Sequence, residues 1–168
     1  MKIRLAGELT TDSIVDGEGI RTVVWTQGCI HNCPGCHNPS THSFDKGILR
    51  DVEEVCQEIM LNDFQDGITL SGGDPIAQIE ACLYIAKFCQ EHGLNVWCYT
   101  GYLMEDLLVR SKKEPKLKEL LENIDVLVDG PFILEKLSYN VPFRGSSNQR
   151  LIDTKKSVAE DKVCEIKK

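Results

Sequence analysis

The sequence predicts an α/β fold, an open, partial (β/α) barrel on a mainly parallel sheet. Three observations carry this. Short β-branched runs alternate with longer segments of helical period along the 168 residues, the order that winds a parallel sheet with crossover helices. Each run ends in a turn: QGC, SGGDP, YTG and VDG. A closed eightfold barrel takes about 250 residues, more than this chain has.

The elements follow in order. IRTVVWTQ, residues 20–27, is rich in β-branched residues and reads as a strand. Residues 51–62 form an amphipathic helix, with Val52, Val55, Cys56, Ile59 and Met60 on one face and Asp51 as its N-cap. GITL, residues 67–70, is a short buried strand ending at Ser71–Gly72–Gly73–Asp74–Pro75. Residues 76–92 form a second helix, stopped by Gly93. LNVWCYT, residues 94–100, is a third strand, and residues 102–123 are helical with an interruption near Pro115. Val126–Leu127–Val128 is a fourth strand, ending at Asp129–Gly130. Beyond it the periodicity is lost. FRGSSNQR, residues 143–150, is polar, and residues 153–168 read as a charged C-terminal tail free to move. The cysteine-rich loop, SGGDP, YTG and VDG all follow strand ends, so they gather on the face where parallel α/β proteins build their sites.

Composition narrows the class. A net charge of −7 disfavours nucleic acid as a partner. No apolar run approaches the ~18 residues of a membrane span, and MKIRLAGELTTD has no apolar signal core. The expectation is a cytoplasmic protein with no membrane or nucleic-acid partner. In that compartment clustered cysteines serve metal or redox chemistry more often than disulfides. Of the eight cysteines, Cys56, Cys82 and Cys89 lie on apolar helix faces and Cys98 in a strand, as small buried hydrophobes. Cys164 is incidental to the charged tail.

Cys29, Cys33 and Cys36 stand apart. A helical stripe would put Pro34 and Gly35 in a helix interior, at about 3 kcal/mol for the proline alone. The segment is therefore a loop. A Cys3His zinc site completed by His31, His37 or His42 is one reading, although structural zinc usually pairs its ligands across a dozen residues or more. A redox pair at Cys33 and Cys36 is another. An iron–sulfur cluster is the third: soft thiolates select it, and three ligands where a cubane normally takes four would leave one iron open to a small molecule bearing an amino and a carboxylate group.

CxxxCxxC at Cys29, Cys33 and Cys36 resembles the signature of the radical S-adenosylmethionine (SAM) enzymes. The resemblance implies a radical SAM domain over residues 1–152. It also implies one [4Fe-4S] cluster on the three cysteines, SAM on the open iron, and reductive cleavage of SAM to a 5′-deoxyadenosyl radical. Many members carry an aromatic residue before the third cysteine. Here it is Gly35, so contacts from Gly35, Cys36 and His37 come mainly from the backbone. Ser71–Pro75 looks like the family's GGE-type element. Gly72 and Gly73 would let the backbone approach SAM, and Asp74 would accept from its ammonium group. Asp129 and Tyr99–Thr100, at later strand ends, could reach the ribose or carboxylate or serve structure alone. Arg21 and Trp25 read as strand packing or a surface ion pair, and the three loop histidines as solvated.

SIVDGEGIRTVVWTQGC, residues 13–29, resembles the opening of glycyl-radical-enzyme activases. With CIHNCPGCHN, LSGGDP, WCYTGY, VLVDGPF and FRGSSNQR, the likeness is closest to the activating proteins of anaerobic ribonucleoside-triphosphate reductases and covers about residues 12–152. It implies hydrogen abstraction from a glycine of the reductase's large subunit, with flavodoxin or ferredoxin as electron donor. Alternatives are an activase of the pyruvate formate-lyase type, a small-molecule enzyme like 7-carboxy-7-deazaguanine synthase, or a zinc-binding adaptor. FRGSSNQR is either a docking or covering segment or an ordinary surface loop.

Overall fold

A computed structural model describes residues 1–31, 33–36 and 39–167. Among these, nine strands form one mixed sheet: β1 (Lys2–Leu5), β2 (Thr10–Ser13), β3 (Arg21–Thr26), β4 (Ile48–Asp51), β5 (Gly67–Gly72), β6 (Asn95–Tyr99), β7 (Val126–Asp129), β8 (Arg150–Asp153) and β9 (Glu165–Ile166). The order is β4-β1-β3-β5-β6-β7-β8-β9, with β2 also paired to β3. β3, β5, β6 and β7 are parallel, as their alternation with helices requires. The flanks are antiparallel: β1, β2 and β4 on one side, β8 and β9 on the other. The sheet is thus mixed rather than mainly parallel, because five strands are added antiparallel at its edges, β9 returning to β8 after a short helix.

Five α-helices accompany it: α1 (Val52–Met60), α2 (Ile79–Glu91), α3 (Met104–Ser111), α4 (Pro115–Glu122) and α5 (Thr154–Glu160). Asp51 caps α1 by accepting from the Glu53 amide. Pro115 opens α4, so the interruption is a full break between two helices. Residues 153–167 are a structured part of the sheet, not a loose tail. Asp153 caps α5, and β9 pairs with β8. Their charges lie on exposed faces, while Val158 and Val163 pack on the core.

Strand alternation divides the sheet's two faces. Ile68, Leu70, Val96, Cys98, Leu127 and Ile152 meet the helices in the main core, together with Ile59, Cys82, Ile85, Cys89, Leu107 and Leu120. Burial pushes the Cys56 and Cys82 thiols up to about 12 and raises those of Cys89 and Cys98 as well. These four are core residues, as expected. On the opposite face a small cluster of Trp97, Val128 and Leu151, with Tyr99 and Phe143 against it, leaves the C-terminal strand ends open to a cavity. No helix among the described residues is long and apolar enough to cross a membrane.

Candidate cofactor site at the ends of the parallel strands

The cavity, about 340 Å³, lies at the C-terminal ends of β3, β5, β6 and β7. Cys29, Cys33 and Cys36 line it, with Gly72 and Gly73 after β5, Thr100 and Gly101 after β6, and Gly130 after β7. Its remaining walls include Asp16, Trp25, His42, Tyr99, Phe143 and Arg144. All three cysteines are half-buried thiols.

Local backbone bonds hold the cysteine loop. Gly28 donates to the Thr41 carbonyl at 2.7 Å and Cys29 to that of His42 at 3.1 Å. Pro34 and Gly35 form a turn closed by the Cys36 amide on the Cys33 carbonyl, 3.1 Å. The β5 turn is sewn to the same loop. Gly73 donates to Thr26 at 2.7 Å and Asp74 to Gly28 at 2.8 Å. A Cβ on Gly73 would lie 2.3 Å from the Gly28 carbonyl oxygen and 2.8 Å from that of Thr41. The glycine is therefore needed first for the protein's own close approach. Gly72 and Gly73 still face the cavity with their backbone.

The two carboxylates expected to reach SAM have other partners here. Asp74 is 1% exposed. Its Oδ2 accepts from His31 Nε2 at 2.6 Å, Thr100 Oγ1 at 2.9 Å and the Gly101 amide at 2.9 Å, and its Oδ1 accepts from the Ile76 amide at 3.0 Å. Asp129, fully buried, accepts from the Met104 amide at 2.8 Å and from two nitrogens of Arg150, which also pairs with Glu105. These bonds, Asp129 first, hold Arg150 firmly protonated. Neither carboxylate lines the cavity, whereas Gly35, Cys36, Gly72 and Gly73 are at or beside it. His37 lies outside the described residues.

Other residues take larger roles than their types suggested. His31 is turned inward rather than solvated: its side chain is 16% exposed, and its ring meets Tyr102 edge-on at 4.6 Å. Arg21 is fully buried, not part of a surface pair. Its guanidinium donates to Thr69 Oγ1 and to the carbonyls of Glu18, Ile68 and Asn95, and lies over Trp97. FRGSSNQR is a cavity wall. Tyr99 donates to the Phe143 carbonyl at 2.6 Å, and Gln149 bridges the Gly145 amide and the Gly130 carbonyl. Burial, and then Asp16, push the Tyr99 phenol above its ordinary range. The clue that sequence offered for this wall was the segment's polarity without helical or strand period.

The donor chemistry fits an iron–sulfur cluster: three thiols on one loop line one cavity. The family model described as "4Fe-4S single cluster domain" matches residues 15–152, which places this α/β chain in the class of single-cluster iron–sulfur proteins. Among curated relatives, the anaerobic ribonucleoside-triphosphate reductase-activating protein of Haemophilus influenzae is 34% identical over 81% of this chain and 89% of its own length. Those of Escherichia coli K12 and of phage T4 are 32% and 34% identical, over 81% and 82% of this chain and 90% and 86% of theirs. The chain belongs to the family of anaerobic ribonucleoside-triphosphate reductase-activating proteins.

Proposed function

We propose that this chain activates an anaerobic ribonucleoside-triphosphate reductase by generating a glycyl radical in its large subunit. It would bind one [4Fe-4S] cluster through Cys29, Cys33 and Cys36, and SAM beside it. The observation that carries this reading is the convergence of the three thiols and the Gly72–Gly73 turn on one cavity, in a chain whose relatives bear that name. When bound, the cluster and SAM supply a 5′-deoxyadenosyl radical by reductive cleavage of the sulfonium bond.

The chain's own residues bind, orient and shield. The three thiolates hold the cluster to one side of the cavity. The backbone of Gly35, Cys36 and His37 and of Gly72–Gly73 would meet SAM, the Cys36 and Gly73 amides being already given to the Cys33 and Thr26 carbonyls. Asp74 and Asp129 support these contacts from behind, through Thr100, Gly101 and Arg150. Trp25, Tyr99 and Phe143 wall the cavity with aromatic surface and limit water. Helices cover one face of the sheet, and the opposite face is the inside of an open, partial (β/α) barrel. That opening admits a loop of a protein substrate. Residues 1–152 carry the radical SAM chemistry, and 153–167 complete the sheet edge. Flavodoxin or ferredoxin is the electron donor, and the setting is the cytoplasm.

The test is electron paramagnetic resonance on the reductase's large subunit after anaerobic incubation with the reduced protein and SAM. A glycyl radical doublet is expected, absent with Cys29→Ala, Cys33→Ala or Cys36→Ala. SAM cleavage at full rate with no protein radical would assign a different substrate.

A further inference from the structure

We infer that His31 is a positioning residue: through Asp74 it clamps the first arm of the cysteine loop to the end of β6, so that the thiolates and the SAM-facing turns hold one fixed geometry. This deepens, and rests on, the function proposed above. His31 lies midway between Cys29 and Cys33 in the sequence. Ile30 beside it is 63% exposed, while the His31 ring turns into the protein. The ring enters because residue 101 is glycine. A Cβ there would come within 2.6–2.8 Å of three ring atoms, closer than real contacts allow. Tyr102 then closes on the ring edge-on, and its amide donates to Thr100 Oγ1 at 3.1 Å.

Asp74 is the hub of this arrangement. An ionised carboxylate offers about four acceptor sites, and here donors come from His31, Thr100, Gly101 and Ile76. A carboxylate so engaged, buried and set back from the cavity, serves as an anchor rather than as a direct ligand. Through it the cysteine loop, the β5 turn and the β6 turn become one unit. Thr100 and Gly101 on the far side of that unit line the cavity themselves. The His31–Asp74 bond, whose histidine also lines the cavity, therefore ties the cysteine loop to the β5 and β6 turns that face SAM.

The test compares wild type, His31→Ala, His31→Gln and the core variant Cys82→Ala. Glutamine can place an amide nitrogen where histidine Nε2 stands, so it keeps the donor and discards the ring. In the cluster-free protein, amide hydrogen exchange of Gly101 and of the 29–36 loop should quicken in His31→Ala by about tenfold or more, the scale of one hydrogen bond to a charged group. It should return toward wild type in His31→Gln and be unchanged in Cys82→Ala. After anaerobic reconstitution, His31→Ala should show an altered reduced-cluster resonance on adding SAM and about tenfold weaker SAM binding, with His31→Gln restoring both. Wild-type exchange and SAM response in His31→Ala would overturn the inference while leaving the functional reading intact. Equal defects in His31→Gln and His31→Ala would also overturn it, by showing that the bond to Asp74 is not the cause. A wild-type chain that takes up no cluster would remove the functional reading and this inference together.

Discussion

Replacing Arg21 by methionine removes a buried cation and sets two large terms against each other. Burial lowers the guanidinium to about 10, and at ~1.4 kcal/mol per pH unit that desolvation costs about 3 kcal/mol. Against it stand short bonds to Thr69 Oγ1 at 2.8 Å, the Glu18 carbonyl at 2.7 Å and the Ile68 carbonyl at 2.6 Å, with a longer one to Asn95 at 3.3 Å. Hydrogen bonds to a charged group contribute roughly 1.5–3 kcal/mol each. The bonds win, and methionine leaves the three carbonyls without this donor in a site too tight for easy rehydration. The expected loss is about 3 kcal/mol, read as a lower midpoint in urea unfolding of the purified chain. For a protein of this size it corresponds to a fall in Tm of roughly 6–12 °C. Arg21→Lys should recover less than half, since one ammonium cannot span acceptors on the 14–20 loop, β5 and β6. A methionine variant within about 0.5 kcal/mol of wild type would refute the reasoning and show that desolvation cancels the network.

Three further outcomes follow from the site and the core. Iodoacetamide at pH 8 on the folded, cluster-free protein should modify Cys29, Cys33, Cys36 and Cys164 and spare Cys56, Cys82, Cys89 and Cys98, read by peptide mass spectrometry; labelling of Cys98 as fast as Cys33 would contradict it. The folded pKa of each buried thiol is raised, so the folded chain retains protons that the unfolded chain loses. Stability is therefore full below the ordinary thiol range near 9 and falls as pH rises toward 12, by up to about 1.4 kcal/mol per pH unit for each buried thiol. Gly73→Ala should cost about 1–3 kcal/mol and lower cluster uptake, because its Cβ must displace the Gly28 and Thr41 carbonyls; unchanged Tm and iron content would show that the turn is not coupled to the cysteine loop.

The parallel core was legible because its signals are local. Val23–Val24, Ile68–Leu70 and Val126–Val128 are β-branched or aliphatic runs, each ending in a glycine turn, and the helices between them keep a clean apolar period. The edge strands were not. β1, β4 and β8 have four residues each, too few for a period, and become strands only through pairing with distant partners. Charged surface side chains masked α5 and β9. At the site, the cysteine trio was legible from count and spacing. The carboxylates were harder. Asp74 and Asp129 follow strands as ligand groups would, but a strand-end carboxylate can equally anchor backbone amides, a histidine or an arginine. Only the positions of Gly101, His31, Met104 and Arg150 decide between those uses. The same gap hid His31, whose burial depends on a glycine 70 positions away.

The central claim is that Cys29, Cys33 and Cys36 hold an iron–sulfur cluster with one iron left for SAM. The most direct measurement is the iron and acid-labile sulfide content of anaerobically purified protein, with the spectrum of its reduced form before and after SAM. About four iron and four sulfide per chain are expected, lost on replacing any of the three cysteines, with a cluster resonance that changes when SAM is added. Stoichiometric zinc, no iron uptake on anaerobic reconstitution and no response to SAM would contradict it.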